Sequence, residues 1–225
     1  MLWKLFRRFS RHSRQKRAQL FRESFEIGPN TRILDLGGGT GGHIASILTG
    51  PAAVTVADIS ESDLAEAAGR GFATVRLDGD DERLPFADGA FDIVFCSSVI
   101  EHVTGPKEEM RWMTDDRRFR EMAERHQSAF AAEIRRVGRG YFVQTPYRYF
   151  PVESHSWLPV FIVMLPRNLM VPTIRFTNRF WPKGTRPDFQ LLTHRSMRRL
   201  FPDAEIAEER AAGFTKSIIA IRRPA

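Results

Sequence analysis

Short apolar runs alternate along this chain with segments whose apolar residues recur every three or four positions, and glycine, proline and acidic clusters separate the two kinds. Runs at Arg32–Leu36, Ala53–Ala57, Ala73–Leu77, Ile93–Cys96 and Tyr141–Gln144 predict strands, since each is short, apolar and bounded by turn residues. Helical spacing predicts helices over Gly41–Leu48, Ser60–Ala68, Glu108–Val137 and Thr193–Leu200. The segments Ala204–Glu208 and Ser217–Ile221 read as a closing antiparallel pair. Alternation of strand and helix implies an α/β fold, a Rossmann-like doubly wound sheet of seven strands with an antiparallel C-terminal strand pair. Ligands then bind at the strand carboxyl ends.

The first strand breaks into Gly37-Gly38-Gly39-Thr40-Gly41-Gly42, and Asp58 follows at the end of the second strand. Glycines let the backbone turn sharply and approach a ligand, and the next helix offers free N–H groups at its start. An acid at that spacing accepts hydrogen bonds from a ribose diol. Turn and acid together describe a cradle for an adenosine-containing cofactor, and by themselves they fit a nicotinamide cofactor and S-adenosylmethionine equally.

Two further blocks separate these alternatives: Gly79-Asp80-Asp81-Glu82-Arg83-Leu84-Pro85-Phe86, and the run from Phe91 to His102. Taken in register with Asp35-Leu36-Gly37-Gly38-Gly39-Thr40-Gly41, they resemble the class I S-adenosylmethionine-dependent methyltransferases, in the branch that includes the ubiquinone/menaquinone-type enzymes. The resemblance runs from about Thr31 to Val103. It implies S-adenosylmethionine as cofactor, with Asp35, Gly37, Gly39 and Gly41 at its methionine end. Asp58 would hold the ribose with Ile59 beside it, Asp80 and Asp81 would meet the adenine, and Ser97 and Ser98 would lie near the sulfonium.

Composition fits one globular domain, with 42% hydrophobic and 27% charged residues. The lone cysteine, Cys96, ends an apolar run, which reads as a packed thiol in a reducing, cytoplasmic setting. The charge is segregated. Residues 1–22 hold eight Lys and Arg and no acid; without them, 26 basic residues face 27 acids. Leu2, Leu5, Phe6 and Phe9 lie at helical spacing among those cations, so residues 1–28 form a basic amphipathic segment ahead of a domain over 29–225. Such a stripe suits either docking on the domain or peripheral contact with an anionic inner membrane face, and a mitochondrial transit peptide has the same composition. No stretch is long and apolar enough to span a bilayer.

An insertion over about 146–192 interrupts the pattern after the fifth strand, long for a connection and therefore a candidate for acceptor recognition. Its opening block, Thr145 to Pro159, is similar to one in bacterial methyltransferases of glycan and cell-envelope biosynthesis. Methyl transfer is an in-line displacement, so the protein must align the acceptor and, for a hydroxyl, remove its proton. His155 is the candidate base with Glu153 orienting it, and His102 is a second candidate. No metal site is expected, because the Glu and His positions show no repeated ligand spacing and there is no Cys pair.

Aromatic residues of the insertion, among them Trp157, Phe180 and Trp181, lie in a stretch where eight Arg and Lys between His155 and Phe201 face one acid, Asp188. Apolar chains next to phosphates present the matching chemistry, so the expected acceptor is a small molecule or a lipid-linked, glycan-type molecule methylated at oxygen. The alternatives are methylation of a quinone-like ring carbon and a non-catalytic S-adenosylmethionine-binding or membrane assembly protein. Nucleic acid is disfavoured as a partner, since no Asn-Pro-Pro-Tyr or Pro-Cys segment follows the fourth strand. Oligomeric state is not legible.

Overall fold

The structure, a computed structural model, describes residues 14–79, 83–153 and 155–224. Seven strands form one sheet: β1 (Arg32–Leu36), β2 (Ala53–Asp58), β3 (Ala73–Arg76), β4 (Phe91–Ser97), β5 (Gly138–Pro146), β6 (Glu205–Ala211) and β7 (Phe214–Arg222). Their order is β3-β2-β1-β4-β5-β7-β6, parallel throughout except for β7, which runs antiparallel to both β5 and β6. The expected fold class and antiparallel closing pair are therefore present.

Successive residues of the central strands feed two cores, because side chains alternate across a sheet. Leu34, Leu36, Val94 and Cys96 face one core with α5 (Asp116–Val137) and α7 (His194–Leu200). Ile33, Ile93 and Phe95 face the other, with a helix over 14–24 (α1), α2 (Gly42–Ile47) and α3 (Glu61–Gly69). Cys96 is fully buried and burial pushes its thiol well above the usual value, which confirms a packed, unreactive group.

Helix α1 docks on the sheet: Phe21 packs edge-on against Phe95 and Phe142 at 5.2 and 5.3 Å. Arg17 is buried with it, pairing with Glu209 at 3.0 Å and donating to the Ser97 hydroxyl at 3.0 Å. This part of the basic segment belongs to the domain. The apolar stripe at Leu2, Leu5, Phe6 and Phe9 lies outside the described residues.

The long helix expected over Glu108–Val137 is two helices, α4 (Lys107–Met110) and α5, because Asp115 caps α5 by accepting from the Arg118 N–H at 3.0 Å. Buried Phe119, Ala123, Gln127, Ala131 and Ile134 recur at helical spacing along the inner face of α5. The insertion starts and ends together at a bridge between Tyr147 and Leu192. Within it a 3-10 turn (Val160–Met164) and α6 (Arg167–Thr177) enclose a small core of Leu158, Ile162, Met170 and Ile174.

Arg167 ties this unit to the domain. It is buried, its guanidinium lies 3.4 Å over the Phe119 ring, and it donates to the carbonyls of Met110, Met113 and Pro187. Burial lowers its pKa to about 10. It is thus a structural member of the Arg-rich stretch.

Candidate active site

A cavity of about 260 Å³ opens where the strand order reverses between β1 and β4, and the ends of β1 to β4 all reach it. Leu36 and Gly37 contribute from β1, Asp58 and Ile59 from β2, Leu77 to Gly79 from β3, and Ser98, Val99 and His102 from β4. The glycine turn is shaped by two different demands. Gly39 has φ +53° and open space around the position of a side chain, so the conformation alone calls for glycine. A Cβ on Gly37 would instead come within 2.5 Å of Val99.

Asp58 organises this mouth. One carboxylate oxygen accepts the Gly39 N–H at 2.8 Å and the other the Ser60 N–H at 2.9 Å, so the acid ties the first turn to the end of β2. Both oxygens keep lone pairs, and Asp58 and Ile59 lie on the cavity wall. Asp35 lies beneath the turn, not on the cavity wall, and is 2% exposed. Its Oδ2 has no hydrogen-bond partner among the described residues. Burial, and then repulsion from Asp58, push its pKa up to about 7. A cationic group bound at the turn would supply the missing counter-charge, so the cradle fits a sulfonium cofactor. Asp80 and Asp81 lie outside the described residues.

Ser97 is placed differently from its expected role. Its hydroxyl is committed to Gln144 at 2.8 Å and to Arg17, and the cavity wall there is made by Ser98 and Val99. Ser98 adopts φ +60°, held by its N–H to the Gln144 carbonyl at 2.9 Å. Of the two serines expected near the sulfonium, Ser98 lines the cavity and Ser97 does not.

A second, wider pocket of about 540 Å³ lies against the first, between the insertion and the chain at His102 and Trp112. His102 lines both pockets, and His155, Trp112, Lys183, Arg186 and Asp188 line the second. The fold therefore brings together His102 and His155, whose rings meet edge to face at 4.7 Å. Hydrogen bonds hold this junction: Gln190 N–H to the Glu101 carbonyl at 2.8 Å, Gln127 to the Ile100 and Gln190 carbonyls, and Thr104 to the Asp188 carbonyl. The His155 ring stacks on Phe189 at 4.3 Å.

Glu153 is buried and saturated with donors. It accepts from the His155 N–H and Nδ1 at 2.7 Å each, and from the Ser156 N–H and hydroxyl at 2.6 Å. Burial pushes its pKa up, but the donors from His155 and Ser156 outweigh this and hold it below the usual carboxylate value. An ionised carboxylate only accepts, so Nδ1 of His155 is the donor in this pair.

Two residues here were not singled out in the sequence, Glu101 and Asp188. Asp188 Oδ1 lies 3.5 Å from His102 Nδ1, and Glu101 is completely buried behind both histidines. Sequence spacing gave no ligand cluster; the fold assembles one, since Glu101, His102 and His155 each place a ligand atom within 4.8 Å of the others.

Residues 34–140 match the family model described as a methyltransferase domain. The demethylmenaquinone methyltransferase of Mycolicibacterium vanbaalenii is 37% identical over 94 residues, 40% of each chain. That of Mycobacterium sp. strain KMS is 39% identical over 89 residues, 38% of each. The chain spans about two fifths of the length of these curated relatives. Among solved structures, the PH0226 protein of Pyrococcus horikoshii superposes with a TM-score of 0.58 at 14% identity, covering 96% of this chain and 91% of that one. Magnesium protoporphyrin IX methyltransferase of Synechocystis, solved with bound S-adenosylhomocysteine, gives 0.54 at 16%, covering 99% and 87%. These two share the fold.

Proposed function

Because residues 34–140 form a class I S-adenosylmethionine-dependent methyltransferase domain, we propose that the protein transfers a methyl group from that cofactor to a hydroxyl of a small or lipid-linked acceptor. One observation carries this reading: His102 belongs to the walls of both cavities, so a cofactor at the strand ends and an acceptor in the wider pocket meet at the histidine pair. The cofactor supplies the electrophilic methyl. Asp58 and the Gly37–Gly41 turn bind and orient it, with Asp80 and Asp81 as adenine contacts. His155, fixed in one tautomer by Glu153, presents Nε2 to the acceptor oxygen and takes its proton.

Surface character supports a lipid-linked acceptor. Phe161, Met164, Leu169, Phe176 and Phe180, all in the insertion, are each more than half exposed. Arg175 and Arg179 lie within the same stretch. Apolar side chains among guanidinium groups suit a prenyl or acyl chain carrying phosphate. The same surface provides a peripheral membrane contact; no helix among the described residues is long and apolar enough to cross a membrane.

The names of the curated relatives favour a second reading, methylation of a quinone ring carbon. The wide pocket is drawn largely from residues beyond 140, where the family match ends. Incubation with methyl-labelled S-adenosylmethionine and extracts split into lipid, polysaccharide and RNA fractions tests both. Label found in lipid or polysaccharide as a methyl ether supports methylation of a hydroxyl, label in a quinone band supports the second reading, and label in RNA alone overturns both.

A further inference from the structure

The junction between the two pockets holds a donor set that proton transfer does not account for. Glu101 is completely buried. Its Oε2 accepts the Thr145 hydroxyl at 3.0 Å, while Oε1 has no hydrogen-bond partner among the described residues and lies 3.8 Å from His155 Nε2. A buried carboxylate oxygen without a donor is costly, and a bound cation removes that cost. Two imidazoles stand beside this carboxylate, each with its Nδ1 facing another: His155 toward Glu153 at 2.7 Å and His102 toward Asp188 at 3.5 Å. That arrangement leaves both Nε2 atoms outside the Glu153 and Asp188 contacts, as in histidines that ligate metals through a carboxylate-backed ring.

We propose that Glu101, His102 and His155 bind a divalent transition-metal ion at the wall shared by the two pockets, where it would also take an acceptor oxygen. Two imidazoles and one carboxylate suit Zn²⁺, Mn²⁺ or Fe²⁺ and leave coordination positions open. Ligand bonds of about 2.1 Å place donors about 3.4 Å apart. The present donor atoms, within 4.8 Å of one another, therefore draw inward on binding. The proposal rests on the reading that the wide pocket takes the acceptor. It differs from that reading in one respect: His155 Nε2 becomes a ligand, and the ion acidifies the hydroxyl in its place.

The full chain, stripped with a chelator and dialysed, is titrated calorimetrically with ZnCl₂ and separately with MnCl₂, and S-adenosylmethionine is titrated into the same preparation. One ion per chain is expected. Affinity should fall at least about a hundredfold in Glu101→Gln and in His155→Gln, and about ten- to a hundredfold in Glu153→Gln, which acts through His155. His194→Ala, whose ring pairs with Glu208, should bind as the parent does. Glu101→Gln preserves shape, and melting curves identify any variant that does not fold, in which case His155→Gln decides. Absence of a stoichiometric ion in the parent, or equal binding in both variants, overturns the metal site. S-adenosylmethionine binding without metal would leave the methyltransferase reading intact, and metal binding without S-adenosylmethionine would overturn that reading alone.

Discussion

Replacing Asp35 by asparagine should make the protein more stable at neutral pH and less able to bind its cofactor. The Asp35 carboxyl is 2% exposed, and burial followed by repulsion from Asp58 raises its pKa from 3.8 to about 7. An acid whose folded pKa is raised holds its proton in the native state after the unfolded chain has lost it. Stability therefore falls as pH rises from about 4 to about 7 and is level above that. A shift of about three units at 1.36 kcal/mol each gives about 4 kcal/mol. Asparagine removes this dependence but places an amide N–H₂ beneath the turn, at a cost of about 1–3 kcal/mol. The variant is then the weaker protein near pH 4 and the stronger near pH 8. Urea unfolding of both proteins at pH 4.5, 6 and 7.5 isolates the effect, because every other group titrates in each. A difference in unfolding free energy that stays constant across this range would refute the reasoning. Since a sulfonium favours the ionised acid, parent affinity for S-adenosylmethionine should rise with pH toward about 7 and the variant's should not.

Arg167→Met should cost about 2–4 kcal/mol, since it leaves the Met110, Met113 and Pro187 carbonyls without their donor, and limited proteolysis should then cut within 146–192 faster. Unchanged cleavage would show that the insertion does not depend on this anchor. Arg17→Met should cost about 2–4 kcal/mol by leaving buried Glu209 with only the longer 3.7 Å contact to Lys216, read by urea unfolding; a loss under 1 kcal/mol would place α1 as an accessory. Glu153→Gln should lower kcat by about tenfold or more with KM nearly unchanged, because Nδ1 of His155 loses its charged acceptor. A change confined to KM would assign Glu153 to acceptor binding.

The cofactor end of the molecule was legible because its signals are local. Strands β1, β2 and β4 are buried on both faces and read as apolar runs, and the glycine turn and Asp58 follow them at fixed offsets. The acceptor end was not. Glu101 and His155 are 54 positions apart in the chain and meet only when β4 and the insertion pack together, so spacing could not reveal them as a cluster. Charge counting likewise could not show that Arg17 and Arg167 are buried against partners distant in sequence. The break between α4 and α5 was missed because the helical period continues across it and only the Asp115 cap marks the boundary. Ser97 and Ser98 were expected together near the sulfonium, and the sequence does not show that the Ser97 hydroxyl accepts from Arg17 while Ser98 stays on the cavity wall.

Calorimetric titration of the full chain with S-adenosylmethionine tests the central claim most directly. The account predicts one site per chain, no comparable affinity for NAD, and collapse of binding in Asp58→Ala with the fold verified by melting, since that acid both holds the Gly39 N–H and lines the cavity at the strand ends. Equal affinity for NAD, or no S-adenosylmethionine binding by the folded parent protein, would contradict it.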